Sequence, residues 1–168
     1  GQDFFSIQVP GVDGDGLRMM WKVGAQKYGL NVEVIQMVTL PEELRTLSIA
    51  MFQPNLLINQ LGDRFMNEEY MNNGTFLGNA IGLQPGRYAY VLFDGGIIRH
   101  YKRNGVDCVS LVHPDSRLDG FDSAAEQALK AGEDAFFVAD TVEELAEKLG
   151  INCEKLEDTL EEYNDMCA

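Results

Sequence analysis

The sequence predicts an α+β fold in which a small β-sheet with a hairpin is packed by helices. Residues 55–70 contain two β-prone runs around a tight turn with Gly62. A further β-prone run, GRYAYVLFDGGII, occupies 86–98 and is predicted to end at its aspartate and glycines. The last stretch, 141–164, has the apolar periodicity of two helices. Strands and helices do not alternate in a βαβ series, and no segment repeats, which is the pattern of an α+β chain.

The N-terminal region is predicted to contain a glycine-rich turn followed by a short helix. GVDGDG at 11–16 opens into LRMMWKVGAQ, and the apolar spacing of that run suits a helix with a tightly packed face (Leu17, Met20 and Trp21). Asp15 is placed to cap this helix, because its carboxylate can accept hydrogen bonds from the first free backbone N–H groups.

Further elements are predicted before the C-terminal helices. Residues 31–38, NVEVIQMV, alternate like a strand, and Pro41 followed by two glutamates marks the start of a helix. SAAEQALKAGE is predicted to be a helix that ends near Gly132, and DAFFVAD, 134–140, a short strand. Residues 101–122 are rich in turn formers and favour no single assignment.

The C-terminal helix pair has a defined start, a defined stop and an apolar face. Thr141 and Glu144 form the T-x-x-E pattern of a capping box, and Gly150 follows as the stop of the first helix. Asn152 can cap the second helix. The apolar residues of each helix share one stripe (Val142, Leu145, Ala146 and Leu149; then Leu156, Leu160 and Tyr163).

Composition and charge exclude several classes of partner. The chain has 168 residues, 45% of them hydrophobic, which can fill the core of one domain. Its formal net charge of -14 repels phosphate backbones and anionic lipids, so nucleic acid and membrane surfaces are not expected partners. No apolar run approaches the roughly 20 residues of a membrane span. The acidic residues of 143–165 predict a solvated helix face, with an acidic docking surface as the less favoured alternative.

Motifs for metal, thiol and nucleophilic chemistry do not occur in the sequence. The three cysteines, Cys108, Cys153 and Cys167, have no C-x-x-C spacing and are expected to be reduced structural thiols. The two histidines, His100 and His113, have no partner at metal-ligand spacing, so each is expected to be an ordinary surface or loop residue. Neither G-x-S-x-G nor a Walker loop occurs, and no metal site is expected.

The first residues lack the pattern of a signal peptide, and the cytoplasm is the expected location.

Three segments, in order, resemble the flavoproteins of the fumarate reductase and succinate dehydrogenase superfamily. GDGLRMMWKVGA, 14–25, is similar to the family's GDG-x-x-MA-x-x-x-GA segment. ADTVEELAEKLGINCEKLEDTLEEYN, 139–164, is similar to its ADT-x-EELA-x-KLGI helix pair. LLINQLGDRFMNEE is similar to its VN-x-x-G-x-RF-x-NE hairpin, here Ile58, Asn59, Gly62, Arg64, Phe65, Asn67 and Glu68. The fold that this resemblance implies is the family's cap, or catalytic, domain, with the hairpin turn and the terminal helix pair as neighbours.

The resemblance implies an enzyme of two parts, a domain that holds FAD and a mobile cap that closes over flavin and substrate. Residues 1–30 resemble the end of a flavin-domain segment, and residues 31–168 resemble the cap. The aspartate of the family's GDG segment contacts FAD, so the resemblance places Gly14, Asp15 and Gly16 as cofactor-facing residues. The full protein would then be an FAD-dependent oxidoreductase that transfers hydride between flavin and a small-molecule substrate.

The chain by itself is expected to be inactive, because much of the family's cofactor site is missing from it. The G-x-G-x-x-G fingerprint of the family's N-terminal region does not occur here, and neither does the flavin-domain segment that follows the cap. Without them the FAD pyrophosphate has no helix N-terminus to bind. We therefore expect no FAD on this chain alone, and its expected partner is the missing flavin-binding domain of the same protein.

The chain departs from fumarate reductase where that family carries its catalytic residues. The proton-donating arginine, four residues after the hairpin glutamate, corresponds to Asn72, and asparagine cannot donate a proton at neutral pH. The TE-x-x-RG run corresponds to LSIAMF at 47–52, and the upstream dicarboxylate-binding histidine has no match. Asn72 and Asn73 are therefore substrate-side candidates for a less anionic substrate, beside an apolar wall of Met51 and Phe52. In the competing interpretation the asparagines form a turn and the two apolar residues belong to the core.

Two other functions are left open by the residues. A stand-alone acidic α+β module that binds a protein partner fits the charge, and a flavoprotein paralogue that keeps FAD but lacks catalysis fits the asparagine at position 72. The substrate, the electron donor, the direction of the reaction and the oligomeric state are not specified by the sequence.

Overall fold

The fold is α+β, as predicted, and its contacts divide the chain into two compact units, Gly1–Glu33 and Val34–Ala168. The computed structural model describes residues 10–11, 13–28, 45–109, 116–132 and 135–167. Three predictions lie outside these ranges, namely the strand at 31–38, the helix start at Pro41 and the setting of His113.

The described residues form seven α-helices, two 3₁₀ turns and a two-stranded antiparallel sheet. The helices are α1 (Asp15–Lys22), α2 (Arg45–Met51), α3 (Gly74–Gly82), α4 (Gly95–Asn104), α5 (Phe121–Ala131), α6 (Val142–Leu149) and α7 (Cys153–Cys167). The strands are β1 (Leu56–Ile58) and β2 (Tyr90–Leu92), and the 3₁₀ turns are Glu68–Tyr70 and Pro85–Arg87. None of the helices described is long and apolar enough to cross a membrane.

Helix α1, in the first unit, begins with a glycine rather than with an acidic cap. Gly14 is the N-cap residue, with a φ of 76° and no side-chain hydrogen bond. Asp15 is already helical, so its side chain points outwards and pairs with Arg18 three residues on, at 3.0 Å. The prediction that Asp15 caps the helix is therefore wrong. The predicted packed face is not seen in the described part of this unit either, since Leu17 and Met20 are half exposed.

The sheet joins two segments that are distant in sequence. β1 pairs antiparallel with β2, with Leu57 opposite Val91. After β1 the chain makes the predicted turn, and Ile58 forms an isolated antiparallel bridge with Arg64. The turn is therefore confirmed, but the second arm of the predicted hairpin is one bridge and not a strand. The backbone instead enters a 3₁₀ turn, because the side chain of Asn67 accepts a hydrogen bond from the N–H of Glu69.

The second β-prone run ends before its aspartate and glycines, as predicted, but the helix that follows it was not predicted. β2 ends at Leu92, and the GGII run forms the first turn of α4. Asp94 caps this helix by accepting a hydrogen bond from the N–H of Ile97 at 2.7 Å. The two glycines that follow the end of the strand are therefore the first residues of a helix.

Residues 135–140, within the predicted DAFFVAD strand, form no strand. The ring of Phe137 contacts the ring of Tyr90 edge-on, with centroids 6.2 Å apart. Phe136 packs against the cluster around α2, α4 and α5. The aromatic residues that suggested a strand thus supply side-chain packing without a backbone ladder.

Three apolar clusters form the core in the described part of the second unit. The first joins α2, α4 and α5 around Leu47, Ala50, Tyr101, Phe121 and Ala128. The second joins the sheet to α6 and α7 around Leu56, Ile58, Ala146, Ile151 and Leu156. The third packs α3 on the sheet around Leu57, Met71, Leu77 and Ile81. Because alternate side chains of a strand point to opposite faces, β1 lies between the second and third clusters.

The C-terminal helix pair is confirmed in detail. Thr141 is the N-cap of α6, and its hydroxyl accepts a hydrogen bond from the N–H of Glu144 at 3.2 Å. The Glu144 carboxylate reaches back to the N–H of Asp140 at 3.0 Å, one residue earlier than a capping box predicts. Gly150 ends α6 with a φ of 68°, and Asn152 caps α7 by accepting a hydrogen bond from the N–H of Lys155. The helix on residues 123–133 is confirmed as well, as α5, and it ends at Gly132.

Candidate functional site

The predicted cofactor-facing residues form the start of α1 in the first unit. A Cβ added to Gly14 or Gly16 would meet no atom within 4 Å, so the turn is open to a bulky ligand. The side chain of Asp15 is 72% exposed and uses one carboxylate oxygen on Arg18. The second oxygen can accept a hydrogen bond from a ribose or ribityl hydroxyl. The turn therefore offers open space and one acceptor oxygen to a ligand.

The predicted substrate-side residues lie between the first 3₁₀ turn and α3. Asn73 is the N-cap of α3, and its side-chain oxygen accepts hydrogen bonds from the N–H groups of Thr75 and Phe76 at 3.1 and 3.2 Å. Asn72 is exposed, and its side chain has no hydrogen bond within the described ranges. Asn73 therefore has a structural role as a helix cap, whereas the described contacts give the amide of Asn72 no structural role.

The apolar wall predicted from Met51 and Phe52 is partly core. Phe52 is half-buried and packs against the cluster around Leu57 and Met71. Met51 is the last residue of α2 and is also half-buried. The interpretation of Phe52 as a core residue therefore accounts for its position.

Two exposed aromatic residues flank the asparagines, and sequence reasoning missed them. Tyr70 and Phe76 are 51% and 54% exposed, and their rings meet edge to face with centroids 5.8 Å apart. Residues 70–86 contain no charged side chain, although 24% of the chain is charged. This uncharged stretch with an aromatic residue on each side of Asn72 and Asn73 was the signal in the sequence that could have found the pair.

Arg64 and Glu68, both within the hairpin motif, form a two-point ion pair. Nε and Nη2 of Arg64 donate to the two oxygens of Glu68 at 2.9 and 2.7 Å. Glu68 is 5% exposed, and Oε1 also accepts a hydrogen bond from the N–H of Leu57 at 3.4 Å. The hydrogen bonds that Arg64 donates to Glu68 raise the pKa of Arg64, so the guanidinium stays charged. The pair holds the turn against β1.

A shallow pocket of about 310 Å³ lies beside this ion pair. The Arg64 guanidinium lies 5.3 Å from the ring centroid of Tyr163, and its Nη1 is 3.4 Å from the sulfur of Met166. Burial raises the pKa of Tyr163 to about 12, so the phenol is protonated at neutral pH. The remaining lining residues are Pro54, Asn67, Glu68, Glu69, Cys108 and Cys167. Because its one arginine is already paired and two carboxylates line it, the pocket does not suit an anionic substrate.

Helix α7 holds the hairpin turn in place. The hydroxyl of Thr159 donates to the carbonyl of Gly62 at 2.7 Å, and both residues are buried. Nζ of Lys155 lies 2.8 Å from Oδ1 of Asp63. A Cβ added to Gly62 would lie 3.0 Å from Cγ2 of Ile151. The hairpin turn and the terminal helix pair are therefore neighbours, as the resemblance implies.

Histidine, cysteine and acidic residues come together nowhere in the described structure as a group of three or more that could hold a metal ion. His100 is exposed, with Nε2 3.5 Å from Asp107 and Nδ1 3.0 Å from the amide of Asn104. Cys108, Cys153 and Cys167 are free thiols. Burial raises the pKa of Cys108, which lowers the fraction of its thiolate.

Comparison with known proteins connects the chain to oxidoreductases. No family model and no solved structure matches it. Vinyl phenol reductase of Lactiplantibacillus plantarum is 26% identical to this chain over 92% of the chain and 33% of the reductase. NADH:acrylate oxidoreductase of Vibrio harveyi is 26% identical over 96% of the chain and 14% of that enzyme. The chain thus spans a third or less of these curated relatives, and nearly all of it is similar to segments of longer oxidoreductases.

Proposed function

We propose that this chain is the cap region of an FAD-dependent oxidoreductase that reduces a conjugated carbon–carbon double bond in a small-molecule substrate. The proposal rests on one observation. Two longer oxidoreductases each contain a segment that is similar to nearly all of the chain, over 92% and 96% of its length. Vinyl phenol and acrylate, which their names contain, both have a double bond conjugated to another π system. The whole protein would therefore act on an activated alkene.

In this proposal Gly14, Asp15 and Gly16 are the residues of the chain that contact FAD. The support is the open turn and the second, unpaired oxygen of Asp15 in the described structure. FAD, when bound, supplies the hydride chemistry. The second unit of the chain then covers the reaction, excludes water and orients the substrate.

The substrate side of the cap differs from that of a fumarate reductase. Asn72 stands where the resemblance places the proton-donating arginine, and an amide does not release a proton near neutral pH. Residues 70–86 also have no cation with which to bind a second carboxylate. A substrate with one carboxylate or none is therefore favoured over a dicarboxylate.

For the 168-residue chain on its own, we predict neither tight FAD binding nor redox activity. Isothermal titration calorimetry with FAD should give no heat of binding in the micromolar range. A micromolar or tighter dissociation constant would mean that these residues form a complete cofactor site, and it would refute the assignment of the chain as a cap region.

The full-length protein from the same gene is the sample that tests the activity. It should carry the visible absorbance of bound flavin, and reduced flavin should be reoxidised by 4-vinylphenol or by acrylate. Asp15→Ala should lower the flavin content, whereas the matched variant Asp13→Ala, two residues earlier in the same turn, should not. A colourless protein would refute the assignment, and a coloured protein that neither alkene reoxidises would instead be a flavoprotein without this catalysis.

A further inference from the structure

The exposed pair Tyr70 and Phe76 is not explained by the packing of the fold. Each ring has about half of its surface exposed, although the same segment buries Met71 and Leu77 in the core. The edge-to-face contact at 5.8 Å lies within the range that aromatic pairs prefer, so each ring fixes the orientation of the other. The pair therefore offers exposed aromatic surface against which a ligand ring can pack.

The absence of cations in the segment that carries this pair favours a neutral ligand over an anionic one. Residues 70–86 carry no charged side chain, and the chain as a whole has a net charge of -14. A carboxylate at this surface would find no cation in the segment and would be repelled by the overall field. A neutral ring meets neither penalty.

The turn between the rings also offers hydrogen-bonding groups. Asn73 uses its side-chain oxygen to cap α3, which leaves its NH₂ group available. The amide of Asn72 is exposed, and no residue of the described ranges accepts from it or donates to it. A side-chain amide can both donate to a hydroxyl group and accept from one. One turn therefore combines an exposed aromatic pair with an uncommitted amide.

We infer that the turn formed by Tyr70, Asn72, Asn73 and Phe76 binds a neutral phenol, with the aromatic ring on Phe76 and Tyr70 and the hydroxyl group on the amide of Asn72. The role of this site in choosing a phenolic alkene as the substrate rests on the proposed function. The binding of a phenol does not, since it requires only the contacts within this turn. The site thus names the substrate class of the proposed reductase.

The experiment is an NMR titration of the ¹⁵N-labelled 168-residue chain with 4-ethylphenol, a phenol with a saturated side chain, and with propionate, a small carboxylate. The phenol should shift the backbone amides of residues 70–77 with a dissociation constant in the millimolar range, and propionate should not. Phe76→Ala should weaken phenol binding by about fivefold, the amount expected for the loss of one aromatic contact. The matched control is Leu83→Ala, since Leu83 is 86% exposed at the end of the same helix, and it should leave the dissociation constant unchanged.

Phe76→Leu keeps an apolar side chain but removes the ring, and it should weaken phenol binding as well. This second variant tests the site even if the alanine variant does not fold. Shifts centred elsewhere, equal shifts with propionate, or unchanged binding in both Phe76 variants would overturn the inference. The two proposals fail separately. If the full-length protein reduces acrylate but the 168-residue chain does not bind the phenol, only this site is refuted. If the chain binds the phenol but the full-length protein is colourless, only the reductase proposal is refuted.

Discussion

Thr159 of α7 donates a buried hydrogen bond to the carbonyl of Gly62 over 2.7 Å, and this contact joins two positions that are 97 residues apart. The ion pair between Lys155 and Asp63 lies on the same side of the turn. The hairpin turn is therefore held by the last helix, not by a second strand of its own. Changes in α7 should consequently alter the stability of the hairpin turn.

Thr159→Val tests this contact, because valine keeps the shape of threonine and lacks the hydroxyl. The carbonyl of Gly62 then stays buried without its partner, and we expect the free energy of unfolding to fall by about 1–3 kcal/mol. Urea denaturation followed by circular dichroism measures the loss. Thr159→Ser retains the hydroxyl and should lose less. If Thr159→Ser lowers the free energy of unfolding as much as Thr159→Val does, packing and not the hydrogen bond holds the turn.

Gly62→Ala should destabilise the protein more than Gly132→Ala. Both glycines have positive φ angles, 83° and 71°, so both substitutions carry a backbone cost of about 1 kcal/mol. Only at Gly62 would the new Cβ meet Cγ2 of Ile151 at 3.0 Å and Cγ of Lys155 at 3.3 Å. We expect an additional loss of about 1–3 kcal/mol there, measured as the difference between two denaturation curves. If both substitutions lower the free energy of unfolding equally, the residues around Gly62 move to accommodate the methyl group.

Arg64→Met should be among the most damaging single changes in the hairpin. It leaves the carboxylate of Glu68, which is 5% exposed, buried without its cation, and we expect a loss of about 3–5 kcal/mol. The double variant Arg64→Met/Glu68→Gln removes the charge and should recover part of that loss. Lys130→Met breaks an exposed ion pair with Glu126 and should change stability little. A double variant no more stable than Arg64→Met would speak against the unpaired charge as the cause.

Asn73→Ala and Asn72→Ala should differ in stability although they are adjacent. Asn73 accepts two backbone hydrogen bonds at the start of α3, and its loss should cost about 1 kcal/mol. The side chain of Asn72 has no hydrogen bond within the described structure, so Asn72→Ala should leave the melting temperature unchanged. Thermal denaturation of both variants is the measurement. A large effect of Asn72→Ala would mean that this residue is structural and not free for a ligand.

Stability should fall at alkaline pH partly because of Tyr101. Its side chain is 2% exposed and donates to Oδ1 of Asn55 at 3.1 Å, and burial raises its pKa to about 12. In the unfolded chain tyrosine has a pKa of about 10, so the unfolded state loses its proton first and stability declines as pH rises from about 10 towards about 12. Tyr101→Phe should make this decline shallower when denaturation midpoints are compared across the alkaline range. It should not abolish the decline, because burial also raises the pKa values of Tyr90 and Tyr163. An unchanged slope would contradict the assignment.

The C-terminal helices could be predicted because their signals are local. The cap at Thr141, the stop at Gly150 and the cap at Asn152 each act on backbone groups within four residues. These residues determine where the helices begin and end before any tertiary contact forms. The start of α4 has a similar local signal, which the prediction for residues 86–98 left out. Asp94 followed three residues later by Ile97 is a cap before an apolar run, but the aromatic residues preceding it favoured a strand.

Strands and site contacts were less predictable because they depend on partners far away in sequence. The DAFFVAD run has the composition of a strand, yet Phe136 and Phe137 find side-chain partners and the run finds no strand to pair with. The ion pair between Arg64 and Glu68 belongs to a motif that can be found in the sequence. Its burial and the contact of Arg64 with Tyr163 depend on where α7 packs. The family resemblance named these residues without giving them a role.

The long separation between Gly62 and Thr159 also has a consequence for biosynthesis. Ribosomes add roughly 5–20 residues per second, so the hairpin emerges on the order of 5–20 s before the helix that secures it. During that interval Leu56 and Ile58, which end up beneath α7, have no cover on that side. The nascent polypeptide is therefore more vulnerable to misassociation in the seconds before α7 is translated.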